Sequence, residues 1–150
     1  MKPRAIITLA ARLLVGAVLV YAGASKAAAP AEEFALVIGA YDVVPSSVAL
    51  PVAGLLPWIE LLVGWALLLG VEARAASASA GVMTGIFLAA IGSVLVRGIP
   101  IPNCGCFGDA MHFTPAHAFL FDSLLTALCW TVFAGKTDPF SLDGWAQRGK

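Results

Sequence analysis

Charge is what this chain has least of. Only 12% of its 150 residues are charged, against roughly 25% in an ordinary soluble domain. Nine basic residues cancel nine acidic ones, which leaves no electrostatic hold on a nucleic acid. Histidine is nearly absent, with two residues, and cysteine is limited to three. Three cysteines cannot build the dense disulfide framework of a small secreted domain. Long polar linkers are missing as well, so the length fits one domain. That domain takes residues 1–135, and residues 136–150 form a polar tail.

What fills the chain is apolar sequence in long runs. About 20 such residues span a bilayer as a helix. The runs predict an all-α, polytopic membrane protein: a four-transmembrane-helix bundle with spans near residues 5–25, 48–71, 75–97 and 114–134. In the first run Arg12 is the one charge, with Lys2 and Arg4 ahead of it. A secretory signal peptide shares that layout, but the length favours a retained helix. Thr114-Pro115 reads as a cap residue followed by proline at the first helical position. Residues 27–47, with Glu32, Glu33, Tyr41 and Asp42, read as a short surface helix between helices 1 and 2.

Basic residues set the expected orientation. With the N-terminus inside, Lys2, Arg4, Arg12, Arg74, Lys136, Arg148 and Lys150 flank the inner side, and only Lys26 and Arg97 face outward. Both termini are then cytoplasmic, and the segment between the third and fourth spans is outside. In a bacterial inner membrane that side is the oxidising periplasm.

The same segment carries Asn103-Cys104-Gly105-Cys106-Phe107-Gly108. Pro100 and Pro102 before it, with Gly105 and Gly108 within it, exclude regular structure. Thiols two residues apart place their Cα atoms about 5.5–7 Å from each other, at the edge of the 4.4–6.8 Å a disulfide needs. Strained, accessible disulfides exchange readily. Cys104 and Cys106 therefore offer the chemistry of a thiol–disulfide oxidoreductase. The competing account is a structural staple in a non-enzymatic assembly factor or small transporter. With His112 and His117 the pair also resembles a zinc set, but Cys-x-Cys is tighter than zinc spacing, and no metal is assigned.

Polar groups at membrane depth are the other candidates. Glu60 lies about 18 Å along its helix from Val48. At that depth it should face the bundle interior, as a proton acceptor, a ligand anchor or a purely structural tie. Lys26, at the outer end of the first span, either snorkels to the interface or lowers the pKa of a nearby thiol. Asp122, Thr126 and Cys129 share one face of the last helix and read as an inward hydrogen-bonding seam. Cys129 lies about 20 Å down that helix and reads as a small hydrophobe. Ser77, Gly81, Gly85, Ala89, Gly92 and Ser93 form a small-residue stripe suited to close helix contact. No inverted repeat of the transporter kind is evident.

The set Arg12-Leu-Leu-Val-Gly16, Tyr21-Ala-Gly-Ala-Ser-Lys26, Leu56-Pro-Trp-Ile-Glu60 and Asn103-Cys-Gly-Cys-Phe-Gly108 resembles the MauE family of methylamine-utilisation, DoxX-like membrane proteins, over about residues 10–135. The resemblance implies a four-helix protein that supports maturation of the disulfide-rich small subunit of methylamine dehydrogenase. It implies a periplasmic thioredoxin-like partner and a disulfide-rich periplasmic client. The layout is also similar to vitamin K epoxide reductase-like proteins. In contrast to a full shuttle, residues 27–47 hold no cysteine, and Phe121 stands where relatives often carry a basic residue before the acid of the fourth helix. A membrane quinone is a conceivable electron acceptor given Trp58, Trp65 and Phe107, the alternative being aromatics that simply face lipid or the core, and no cofactor is assigned.

Overall fold

The fold follows from where each apolar run is allowed to stop. A computed structural model describes residues 3–100 and 114–135. Five helices appear among them: α1 (Pro3–Ala27), α2 (Ala31–Ala40), α3 (Ser46–Leu69), α4 (Ala73–Arg97) and α5 (Pro115–Ala134). Four of these are long and apolar enough to cross a membrane, and each ends within two residues of its expected limits. The tail 136–150 lies outside the described residues.

Glycine stops two of the helices. Gly70 and Gly98 adopt φ of 69° and 65°, which costs a residue without Cβ nothing. The N–H beyond each glycine then turns back to the helix: Val71 N bonds the Ala66 carbonyl at 3.0 Å, and Ile99 N bonds that of Val94 at 3.2 Å. This arrangement satisfies carbonyls that would otherwise be orphaned. At the start of α5, Thr114 Oγ1 accepts from the His117 N–H at 3.5 Å, with Pro115 following the cap. Pro51 and Pro57 sit inside α3 without ending it.

Each spanning helix buries one stripe. In α1 it runs through Ala11, Arg12, Val15, Leu19, Ala22 and Lys26, the three-and-four spacing of a single face. α1 packs along α3, and α4 along α5. The α1–α3 contact is backbone-close. A Cβ on Gly23 would lie 2.7 Å from the Pro57 carbonyl oxygen, and one on Gly64 would lie 2.9 Å from Val20 N. In lipid, such approach is what small residues contribute to helix association.

The expected stripe on α4 behaves differently. Ser77 is buried and donates to the Cys129 carbonyl at 2.6 Å, and a Cβ on Gly81 would meet that residue at 3.5 Å. Gly85, however, faces open space, and Ala89 is exposed. Steps of four residues overshoot a full turn by about 40°, so a long series of them rotates off the interface. The face that α4 buries instead carries Ser77, Ala80, Thr84, Ile91 and Val94.

Two apolar layers result. Val15, Leu19, Val63, Leu67, Ala76, Ala80, Leu125 and Cys129 pack in one. Tyr41, Ile91, Val94 and Ala118 pack in the other, at the end of the bundle covered by α2. Thr84 falls between the layers along α4, and Asp122 does so along α5. Lys26, Glu60, Thr84 and Asp122 meet at that level.

Candidate functional site

α1 is the shorter partner at the α2 end. Gly16 sits against Gly64 and Leu68, and Gly23 against Pro57 and Leu61, so the first turns of α3 run past the end of α1. Lys26 therefore reaches the level of Glu60, midway down α3. Its Nζ lies 2.8 Å from Oε1 and 2.8 Å from Oε2 of Glu60, and both side chains are 2% exposed. α2 folds over the pair. The Phe34 ring of α2 and the Phe87 ring of α4 stand 5.5 and 5.7 Å from the ammonium, close enough for cation–π attraction.

Lys26 does not snorkel. It turns inward because the start of α3 and α2 close the route to the surface, and because Glu60 supplies the countercharge a buried ammonium needs. The two in-membrane candidates of the sequence thus form one ion pair. Cys104 and Cys106 lie outside the described residues, as do Phe107 and His112.

Asp122 joins this centre from α5. It is 6% exposed and lines the same cavity as Lys26 and Glu60. Its Oδ2 has no hydrogen-bond partner among the described residues. Next to it Thr126 donates to Thr84 Oγ1 at 3.0 Å, so the inward seam expected on α5 is present. Lys26, Glu60, Thr84 and Asp122 share the wall of one cavity of about 30 Å³ with Val18, Leu19, Ala22, Met83, Phe87 and Leu125. Cys129 is a buried free thiol one layer away. No cluster of metal-ligating side chains occurs among the described residues.

A second hollow adjoins the first. An apolar groove of about 240 Å³ runs between α2, α3 and α4, and Phe34, Tyr41, Leu56, Met83, Ile86 and Phe87 are among its walls. Met83 and Phe87 belong to both spaces. Trp58 and Trp65 are 63% and 53% exposed. They project from the bundle and line neither space.

Two further features were not legible from residue type. Arg12 is 2% exposed within the stripe of α1, although by sequence it counted only as an inner-side charge. Asp122 shares a cavity with Glu60, although by sequence it belonged to a separate seam. A signal existed for Arg12. Lys26 follows it by fourteen residues, about four helical turns, which sets both on the buried face.

Across residues 4–135 the chain matches the family profile described as Methylamine utilisation protein MauE. Neither the curated proteins nor the solved structures yield a match.

Proposed function

Because this multi-pass membrane protein belongs to the MauE family of methylamine utilisation proteins, we propose that it is a membrane thiol–disulfide protein supporting maturation of a disulfide-rich client. Cys104 and Cys106 exchange with a partner thiol on a thioredoxin-like protein, on the periplasmic side of a bacterial inner membrane. The observation that carries this reading is the Cys104-Gly105-Cys106 pair in the segment joining α4 and α5 of a MauE member. The distribution of basic residues supports the outward side for that segment.

The exchange is balanced within itself. A partner thiolate attacks the Cys104–Cys106 disulfide, a mixed disulfide forms, and the partner's second thiol resolves it, leaving the partner oxidised and the pair as two thiols; the reverse step starts from a thiolate of the pair. Glu60 and Lys26 act in this reading as the charged centre of the bundle, with Glu60 as proton acceptor or ligand anchor.

The test is the pair of variants Cys104→Ser and Cys106→Ser in cells that make the client. Each is expected to abolish client maturation while the bundle inserts normally, and the variant keeping the attacking thiol traps a mixed disulfide on a non-reducing gel. A bridge across one residue closes so short a loop that its loss removes little unfolded-state constraint. Full maturation in both variants, or a disulfide that mild reductant never opens, would replace the exchange reading with a structural staple.

A further inference from the structure

The 30 Å³ cavity is small, and its wall carries an uneven set of charged side chains. α1 contributes Lys26, α3 contributes Glu60 and α5 contributes Asp122. α4 contributes only Thr84, whose hydroxyl already donates to the Ala80 carbonyl at 3.1 Å. The remaining walls, Val18, Leu19, Ala22, Met83, Phe87 and Leu125, are uncharged. Two carboxyls thus face one ammonium. If all three were ionised, one negative charge would stand unbalanced at this cavity, since the other buried cation, Arg12, lies about four turns away along α1, at several kcal/mol for an ion without a partner.

Hydrogen bonding points the same way. Glu60 spends both oxygens on Lys26, while Asp122 Oδ2 is buried, unpartnered among the described residues and part of the cavity wall. A buried acceptor left without a donor costs about 1–3 kcal/mol. A cavity needs roughly 10–15 Å³ to admit one water, so this one, whose wall includes Asp122, has room for one.

We propose that Lys26, Glu60 and Asp122 form a single proton-sharing site, in which one water bridges Asp122 to the ion pair and the two carboxyls hold one exchangeable proton between them. The transfer involves no electrons. The protonated carboxyl gives its proton to the bridging water, the water gives one of its own to the other carboxylate, and Lys26 stays ammonium throughout. Asp122 is thereby assigned to the same site as Glu60. The site does not depend on the chemistry of the cysteines.

Infrared spectra of the full chain in lipid nanodiscs at neutral pH test this by counting protonated carboxyls. Wild type should show one buried carboxylic C=O band that shifts in D2O. Asp122→Asn and Glu60→Gln, both close to isosteric, should each lose it, because the remaining carboxylate is balanced by Lys26. Lys26→Met should instead raise the band about twofold, since neither acid then has a countercharge. The same pattern is expected in a Cys104→Ser/Cys106→Ser background, so failure of the thiol reading leaves this result untouched. Absence of the band in wild type overturns the proposal without any variant, and so does a band of equal strength in all three variants.

Discussion

Arg97, the last residue of α4, grips Asp42 in the turn between α2 and α3. Nη2 lies 2.7 Å from the Asp42 carboxylate, and Nη1 donates to the Tyr41 and Asp42 carbonyls at 3.3 Å each. Asp42 holds φ at 51°, a conformation few non-glycine residues adopt. The helix that leads into the cysteine segment is thus tied to the turn beneath which the groove lies. Both partners are well exposed. Arg97→Met should therefore cost no more than about 1 kcal/mol, yet speed amide hydrogen exchange at Asp42 and Val43. Unchanged exchange there would show that the turn holds itself.

Breaking the buried ion pair should cost far more. Lys26→Met alone is expected to destabilise the bundle by about 3–5 kcal/mol, because Glu60 and Asp122 both lose their countercharge, while Glu60→Leu should cost less because Asp122 remains to balance Lys26. The double variant should recover most of that loss, read by steric-trap or denaturant unfolding in detergent. Glu60→Gln, with shape retained, should insert normally and impair client maturation. Full maturation in Glu60→Gln together with poor folding of Glu60→Leu would make Glu60 a structural tie alone.

Glycines should separate by contact and not by motif. Gly23→Ala places a methyl group 2.7 Å from the Pro57 carbonyl, and overpacking of that kind costs about 1–3 kcal/mol. Gly85→Ala enters open space and should be neutral, or stabilising by up to about 1 kcal/mol through helix propensity. Equal effects at the two sites would contradict the α1–α3 contact described above.

Topology is tested directly with reporters. Fusions after Arg74 should report cytoplasm, and fusions near Gly108 should report the periplasm. A cytoplasmic signal at Gly108 would place Cys104 and Cys106 among reducing thiols and remove the basis for exchange.

The number and limits of the spans were legible because run length and end signals are local. Thr114-Pro115 announces where the last span starts. The inward aim of Glu60 was legible too, since a carboxyl at mid-membrane has few alternatives. Its partner was not. Pairing Lys26 with Glu60 depends on how far α1 is displaced along α3, and Gly16, Gly23 and Gly64 set that displacement through contacts between distant segments. The same non-local fact hid Asp122, whose inward face could be read from α5 alone but whose neighbours could not. The small residues of α4 misled for a related reason. Spacing of four is a property of sequence, while the interface follows the true pitch of the helix.

The ion pair also carries an order of assembly. Lys26 and Glu60 are 34 residues apart, and at about 5–20 residues per second the ribosome makes Lys26 a few seconds before Glu60. A lone charge at the centre of a membrane helix costs about 2.5–3.5 kcal/mol, but a lysine at a helix end can wait with its ammonium in the headgroups. The first helix is therefore set to enter lipid shallowly and settle only when the third arrives with the countercharge. An early-terminated chain ending before residue 60 should sit higher in the bilayer than the finished protein does.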